Sequence, residues 1–271
     1  ADPQRGVFRT PAQHDLLDVP LSTKADLLKR IDARISARAR IVMSRTAWVA
    51  QRVHKIIVNS EGTEVEQQLS SGQLSFEAGA SDGAELQVAS FPAGRSAISG
   101  AGWEAFERYP FLDEADRVAE NAVRQIEAEP CPADTCAVVL SPEALGAHLL
   151  ACSGLFRFNG ARAAARGARQ QLGETVGSPH LSIRCEPNLG HGAGTFAYDD
   201  EGTPSAPVTL VEEGRVRALL CGREGAALCG LPGSTGGMRA SSWARPPTVR
   251  PSNLVMQAEG EPSLDALLGD M

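Results

Sequence analysis

The residues best suited to chemistry are three consecutive carboxylates, Asp199, Asp200 and Glu201, which lie between Tyr198 and Gly202. Neighbouring carboxylates repel one another unless cations, backbone N–H groups or water surround them. One interpretation is therefore a loop that binds a metal or a substrate. The other is a capped turn leading into a strand, in which the Asp side chains accept hydrogen bonds from local N–H groups. The Asp, Gly and Pro residues of this segment favour the turn.

A second pair with chemical potential is formed by His148 and Cys152. They are four positions apart on a predicted helix, so their side chains share one face and could be two ligands of a metal. No carboxylate adjoins them in the sequence to act as a general base, and lone His and Cys residues often serve packing alone. The six cysteines include one C-x4-C pair, Cys131 and Cys136, without the second close pair of a zinc site. We therefore expect reduced thiols and no bound metal.

The elements that must position these residues fall into two groups, of which the first covers residues 1–130. A helix capped by Ser22 or Thr23 is predicted to end near residue 38, because apolar residues recur there at helical spacing. A change to alternating apolar residues predicts strands at residues 41–50, 53–58, 63–78 and 84–91. Another helix follows from Asp113. This half is predicted to be a mostly antiparallel sheet flanked by helices.

The second group, residues 131–271, is predicted to be β-rich with one prominent helix. A buried strand at residues 137–140 is expected to precede that helix. The helix starts at Ser141, Pro142 and Glu143, which supply a capping hydroxyl, a proline at the first helical position and an acid near the positive helix end. Strands are predicted near residues 181–185, 207–211 and 215–220. The predicted fold class is α+β, with a domain boundary in the Pro-Cys-Pro segment that starts at Pro130.

Composition and charge restrict the classes of partner. The chain has 271 residues, is 42% hydrophobic and carries a formal net charge of −7. This acidic balance argues against nucleic acid or an anionic membrane as a partner, and leaves peptides, small molecules and other subunits open. No stretch approaches the roughly 18 apolar residues that span a bilayer. The given sequence begins without a basic segment followed by an apolar one, so we expect a cytoplasmic location.

Several ordered segments together resemble the TldD/PmbA family, which is associated with metallopeptidase activity on peptide precursors. The Asn-Ser-Glu-Gly turn at residues 59–62 and the Leu-Ser-Pro-Glu helix start at residues 140–143 are similar to family segments. The acidic string at residues 194–204 resembles the family's most recognisable motif. Further similarity lies at residues 213–216, 238–243, 245, 247, 250 and 253. The resemblance implies an α+β fold of this family's kind.

The resemblance also identifies where this chain departs from the family. Active members carry a His-Glu-x-x-x-His zinc motif after the Ser-Pro-Glu-like helix start, and alignment there puts Leu150, Ala151 and Leu155 at its three functional positions. These side chains can neither ligate zinc nor move a proton. The family's further cysteine ligand lies near the end of a longer chain. We therefore expect a chain that is short at both ends and lacks the catalytic residues.

We expect a protein related to TldD/PmbA metallopeptidases that is catalytically inactive alone and has no cofactor. By resemblance, it is a TldE-like partner of a TldD-type subunit, a self-associating protein or a peptide-binding subunit. The loop from Tyr198 to Gly202 would then be structural or face a substrate. One alternative is an active zinc metallopeptidase with relocated ligands such as His148 and Cys152. Another is a degenerate fragment without a stable fold of its own.

Overall fold

The computed structural model describes residues 3–92, 102–131, 133–158, 171–190, 192–258, 260 and 263–269. Its helices are α1 (Leu21–Ser36), α2 (Trp103–Arg108), α3 (Phe111–Glu127), α4 (Pro142–Cys152), α5 (Arg223–Cys229) and α6 (Leu264–Gly269). Its strands are β1 (Arg5–Arg9), β2 (Ile41–Val58), β3 (Glu64–Ser81), β4 (Leu86–Phe91), β5 (Arg157–Phe158), β6 (Leu181–Glu186), β7 (Val208–Glu212), β8 (Arg215–Val216), β9 (Leu220–Cys221), β10 (Met238–Arg239), β11 (Thr248–Val249) and β12 (Asn253–Ala258). A 3-10 turn, Ser153–Phe156, connects α4 to β5. This mixture of separate helices and sheets confirms the predicted α+β class.

The long strand β3 is central to the first sheet, which has the order β1–β3–β2, and β4 also pairs with β3. β1 is parallel to the start of β3, whereas β4 is antiparallel to its end. The predicted break between residues 50 and 53 is wrong, because β2 continues through Gln51 and Arg52. Neither residue is a Gly, Pro, Asn or Asp. Nothing local therefore supplies the backbone geometry that a reversal requires.

A first core contains apolar side chains of α1, α2, α3 and the adjoining strands. Ile31 and Ile35 of α1 are fully buried at helical spacing, as the sequence pattern predicts. The buried residues of α3 are mostly small, which lets neighbouring backbones approach closely. The aromatic members of this core are Phe76, Phe91, Trp103, Phe106 and Phe111. They form a contiguous cluster, with Trp48 in edge-to-face contact with Trp103 at a ring-centroid distance of 5.3 Å.

The two predicted helix starts have different outcomes. The cap by Ser22 or Thr23 is wrong, because both residues already lie inside α1, which begins at Leu21, directly after Pro20 and without a side-chain cap. Proline disfavours helical geometry in the residue before it, so the helix can begin only from this point onward. The start of α4 is confirmed. There the hydroxyl of Ser141 accepts a hydrogen bond from the N–H of Ala144 at 3.3 Å.

A second core lies around an antiparallel sheet of order β12–β6–β7–β8. Leu210, Leu220 and Phe158 are among its most deeply buried side chains. The strand predicted at residues 137–140 is wrong, since these residues form no strand and are exposed. The side chain of Val138, for example, is 68% exposed. A short apolar run becomes a buried strand only when a neighbouring strand pairs with it, and local pattern does not reveal that neighbour.

The chain divides into two compact units. Unit 1 comprises Ala1–Thr10, Val53–Leu69 and His148–Asp270, and unit 2 comprises Pro11–Arg52 and Ser70–Ala147, with Met271. Strands β2 and β3 contribute residues to both units. The predicted boundary at residue 130 divides the chain by sequence and remains a prediction. Within the described residues, no helix combines the length and the apolar character needed to cross a membrane.

Candidate functional site

The acidic loop, residues 196–204 of unit 1, is held by a buried glutamine on β3. Gln67 is 1% exposed, and its Oε1 accepts hydrogen bonds from the N–H groups of Ala197 and Tyr198 at 3.0 Å each. Its Nε2 donates to the carbonyl of Tyr198 at 2.7 Å. Gln67 is not among the site residues predicted from the sequence. A polar residue at an inward position of an alternating strand was the available signal, because a buried amide requires partners.

Tyr198 lies where the loop passes the first strand. A Cβ atom at Gly6 of β1 would lie 2.5 Å from the Tyr198 hydroxyl oxygen, so a glycine at this position lets the phenol lie close to the backbone of β1. Tyr198 also forms a single β-bridge with Pro204, which closes the loop. The phenol thus packs against unit 1 itself.

Asp199 is the buried centre of the loop and is fully inaccessible to solvent. Its Oδ1 accepts hydrogen bonds from the N–H groups of Glu201 at 3.0 Å and Thr203 at 2.9 Å. Its Oδ2 accepts one from the N–H of Met238 on β10 at 3.0 Å. Burial raises the pKa of Asp199 from 3.8 to about 6, an effect that the three N–H donors oppose and the nearby charge of Glu201 adds to.

Gly202 completes this turn with a left-handed backbone. Its φ is +78°, and a Cβ atom there would lie 2.8 Å from the Cγ2 of Thr63. Its N–H donates to the carbonyl of Asp199 at 3.0 Å. The positive φ angle and the lack of space for a Cβ atom both require glycine at this position.

Asp200 connects the loop to β2 and to the segment after β10. Its two carboxylate oxygens lie 2.8 and 3.1 Å from Nζ of Lys55. Its Oδ2 also accepts a hydrogen bond from the N–H of Ala240 at 2.7 Å. Both side chains of this ion pair are half-buried, so the pair is less screened than a surface pair. Lys55 was absent from the sequence-predicted site, because 145 residues separate it from Asp200.

Glu201 faces the first turn of α5. Its Oε2 accepts a hydrogen bond from the N–H of Arg223 at 3.0 Å. The guanidinium of Arg223 in turn lies 2.5 Å from Oε1 of Glu61. Hydrogen bonding to Arg223 lowers the pKa of Glu61, and the same contact raises the pKa of Arg223. The carboxylate of Glu201 therefore accepts a hydrogen bond from the backbone of Arg223, and its charge acts on the guanidinium of the same residue.

All three carboxylates of the loop are thus used inside unit 1. Asp199 binds three backbone N–H groups, Asp200 binds a lysine and an N–H group, and Glu201 binds a helix N–H group. These are the contacts that a capped turn requires. A role of Tyr198 to Gly202 toward a substrate remains a prediction.

Helix α4 carries the positions of the resemblance-derived zinc motif. Leu150 is 62% exposed, Ala151 is also exposed, and Leu155 lies in the following 3-10 turn. The neighbouring Leu149 is buried in the second core, which fixes the direction of the helix face. Leucine and alanine have no donor atoms for zinc, so the residues present do not fit the metal of active family members.

His148 and Cys152, the alternative ligands, do lie together on α4. Nε2 of His148 is 3.6 Å from Sγ of Cys152. Within the described residues, no group of three or more His, Cys, Asp and Glu side chains is arranged to hold a metal. Two ligands alone are fewer than the three protein ligands of a typical catalytic zinc site. Cys131 and Cys136 are both exposed.

Two models of known protein domains match the two halves of the chain. Residues 14–128 match the model of the PmbA/TldA metallopeptidase central domain, and residues 133–271 match that of the PmbA/TldA metallopeptidase C-terminal domain. A metalloprotease from Methanothermobacter thermautotrophicus is 32% identical over 259 residues, which are 94% of this chain and 54% of that protein. The chain spans about half the length of the curated relatives it matches.

Two solved structures share the fold. TldE from Thermococcus kodakarensis superposes with a TM-score of 0.58 at 18% identity, over 92% of this chain and 54% of TldE. A Thermotoga maritima protein, described as a proposed modulator of a DNA gyrase, gives a TM-score of 0.73 at 24% identity, over 94% of this chain and 56% of that chain. At these identities the likeness concerns the fold alone.

Proposed function

Because the chain belongs to the TldD/PmbA family of metallopeptidase-related proteins, we propose that it is a subunit without hydrolytic activity of its own. Its role is that of a TldE-like partner of a TldD-type subunit, or of a peptide-binding subunit. A cytoplasmic location and the absence of a bound cofactor belong to the same proposal.

The observation that carries this proposal is the surface of α4. Zinc-dependent hydrolysis requires three protein ligands, an open coordination position and a group that can accept a proton. Leu150 and Ala151 offer solvent only methyl and methylene groups at the positions aligned with the family motif. Neither side chain can ligate a metal or accept a proton at these positions.

The acidic loop supports the same proposal from another direction. A carboxylate that accepts three N–H groups, or that already pairs with a lysine, has few lone pairs left for a metal. The loop is therefore best described as a scaffold that shapes unit 1. Its recognisable sequence supports shared structure, and the chemistry of hydrolysis is supported by neither the loop nor α4.

The test is to measure zinc content and peptide hydrolysis on the purified chain, with and without a chelator. We expect less than stoichiometric zinc and no turnover above a protein-free control. Stoichiometric zinc together with turnover that the chelator abolishes would overturn the proposal. Addition of a TldD-type metallopeptidase from the same organism then checks the partner role, with a change in its turnover as the expected result.

A second candidate is an active metallopeptidase in which His148 and Cys152 are relocated ligands. The 3.6 Å distance between Nε2 and Sγ favours it. On this alternative, His148→Ala removes both zinc and turnover, whereas the matched variant His180→Ala, at another exposed histidine, leaves both unchanged. Unchanged zinc content in His148→Ala eliminates the alternative.

A further inference from the structure

The two-stranded ribbon of β10 and β11 in unit 1 carries two arginines on one face. Arg239 of β10 is paired with Thr248 of β11. The ladder continues one position further, where the N–H of Arg250 donates to the carbonyl of Gly237 at 2.9 Å. Thr248 and Arg250 are exposed on either side of the buried Val249. Because side chains alternate along a strand, Arg250 therefore lies diagonally opposite Arg239 on the same face of the ribbon.

Arg239 is half-buried against the acidic loop. Its guanidinium carbon lies 5.3 Å from the centroid of the Phe196 ring, and its Nη2 donates to the carbonyl of Pro251. Its Nε is buried and has no hydrogen-bond partner. An arginine has five N–H donors in one plane, and Nη2 is the only nitrogen of this guanidinium with a partner in the part of the chain that the structure describes. The stacked ring and the one hydrogen bond thus fix the plane of the guanidinium and leave donors unused.

Neither arginine has a carboxylate of its own. Among the described residues, no Asp or Glu oxygen lies within ion-pair distance of either guanidinium. The charge of Asp200 acts on Arg239 from further away, but Asp200 already pairs with Lys55. Burial and the like charge of Arg250 lower the pKa of Arg239, and they outweigh the opposite effect of Asp200. The positive charge of Arg239 is therefore not balanced by the groups around it.

The segment around the two arginines has an excess of positive charge. Residues 238–253 contain Arg239, Arg245 and Arg250 and no Asp or Glu, although the whole chain has a net charge of −7. A partly buried charge without a partner costs folding free energy, and a like charge on the same face adds repulsion. Proteins retain such costs at binding sites, because a ligand of opposite charge removes them. The two arginines therefore have the properties of a site for an anion.

We propose that Arg239 and Arg250 together bind a phosphate group, either free phosphate or a phosphate monoester. The planar fork of an arginine suits the oxygens of phosphate and carboxylate alike. A phosphate monoester carries about 1.5 to 2 negative charges at pH 7 and so neutralises both arginines, whereas a carboxylate neutralises one. The phosphate lies on the solvent side of the ribbon, where Arg250 is exposed. This proposal goes beyond the proposed function and holds whether or not the chain hydrolyses peptides.

Calorimetric titration of the full chain with inorganic phosphate, at fixed ionic strength in a phosphate-free buffer, tests the site. We expect one phosphate per chain with a Kd of about 1 mM or lower. Arg250→Gln raises this Kd about tenfold, because one of two charged contacts is lost. The matched control is Arg217→Gln, at an exposed arginine that pairs with Glu212 at 3.0 Å, and it leaves the Kd unchanged. A wild-type chain without saturable binding up to about 10 mM phosphate overturns the proposal, as does an unchanged Kd in Arg250→Gln.

Thermal unfolding separates binding from a purely structural role of Arg250. Without phosphate, Arg250→Gln should keep or raise the Tm, because it removes repulsion from Arg239. Added phosphate should raise the Tm of the wild type and have little effect on that of the variant. A Tm that falls in Arg250→Gln without phosphate shows that Arg250 serves the fold, and this result overturns the proposal.

A comparison of anions identifies the ligand. Acetate should bind at least tenfold more weakly than phosphate, and equal affinity of the two overturns the assignment to phosphate. Phenyl phosphate distinguishes the two sources of the group. If it binds at least as tightly as inorganic phosphate, the site is one for a monoester, and if it binds more weakly, the site is one for free phosphate. Either result supports the site, and zinc and turnover are not read, so failure here leaves the proposed function standing.

Discussion

The acidic loop and helix α4 carry two parts of the same family resemblance, but their chemistry differs. In the loop, Asp199, Asp200 and Glu201 all have partners within unit 1. On α4, Leu150 and Ala151 face solvent and offer no polar atom. The part that resembles the family most clearly is thus bound into the fold, and the positions on α4 that align with the family's zinc motif hold a leucine and an alanine. In these two regions, similarity to the family indicates a shared fold, and it does not by itself indicate a shared reaction.

Removal of the buried carboxylate should have the largest effect. Asp199→Ala leaves the N–H groups of Glu201, Thr203 and Met238 without their acceptor and opens a cavity at a fully buried position, and we expect the free energy of unfolding to fall by about 4 kcal/mol. Urea denaturation followed by circular dichroism measures it. The control is Glu85→Ala in an exposed turn, with a change within about 0.5 kcal/mol. A loss for Asp199→Ala as small as the control's contradicts the scaffold role of the loop.

The pH dependence of stability should be the next largest effect. Burial raises the pKa of Asp199 from 3.8 to about 6, so the folded protein holds this proton more tightly than the unfolded chain. The stabilisation that this proton gives the folded state is complete below about pH 3.8. It is lost as the pH rises through about 6, which lowers the free energy of unfolding by up to about 3 kcal/mol. Unfolding of wild type and Asp199→Asn between pH 4 and 7 measures it as a difference.

The difference is needed because other carboxylates act in the opposite direction. Burial alone would raise the pKa of Glu104, but hydrogen bonds, among them those from the N–H groups of Gln13 and His14, outweigh burial and lower it. Glu104 therefore adds stability as the pH rises. This contribution cancels between wild type and Asp199→Asn. A difference that stays constant from pH 4 to 7 shows that Asp199 does not titrate in this range.

Loss of the half-buried ion pair should cost less. In Lys55→Met, Asp200 keeps the N–H of Ala240 but loses its cation, and we expect a decrease of about 1 kcal/mol. Chemical denaturation at low and high salt checks it, with a smaller deficit at high salt because the pair is then screened. Lys29→Met, at an exposed lysine beside Asp26, should change stability by less than half as much. Equal deficits for both variants would remove the distinction between the loop and the surface.

A substitution on α4 should have the smallest effect. Leu150 is 62% exposed, so Leu150→Ser should change the free energy of unfolding by less than about 0.5 kcal/mol and leave zinc content unaltered. Its buried neighbour supplies the contrast, because Leu149→Ala should cost about 3 kcal/mol. Thermal unfolding of the two variants ranks them. Cooperative unfolding of the wild type in the same measurement excludes the degenerate-fragment alternative.

Local patterns in the sequence predict much of the fold. The strands near Glu64, Leu86, Leu181 and Val208 and the start of α4 follow from alternation, turn residues and capping chemistry. The uninterrupted β2 could also have been predicted, because Gln51 and Arg52 are not turn residues. The missing strand at residues 137–140 could not, because the absence of a pairing neighbour decides it. Local periodicity contains no information about such a neighbour.

The candidate site shows the same division. Its acidic residues are evident in the sequence because three adjacent carboxylates require explanation. Their partners are not, since Gln67 is 131 residues from Tyr198 and Lys55 is 145 residues from Asp200. Only the folding of β2 and β3 into unit 1 brings them together. The alternation of β3 could still have identified Gln67 as a buried amide that requires partners.

The three tryptophans of the chain provide intrinsic fluorescence from two different environments. Trp48 and Trp103 lie in edge-to-face contact within the core of unit 2, whereas Trp243 is fully in water. An aqueous quencher should therefore extinguish the red part of the emission first and leave the blue part. Each unit then has its own fluorescent signal, so events in unit 1 and unit 2 can be followed separately without any introduced label.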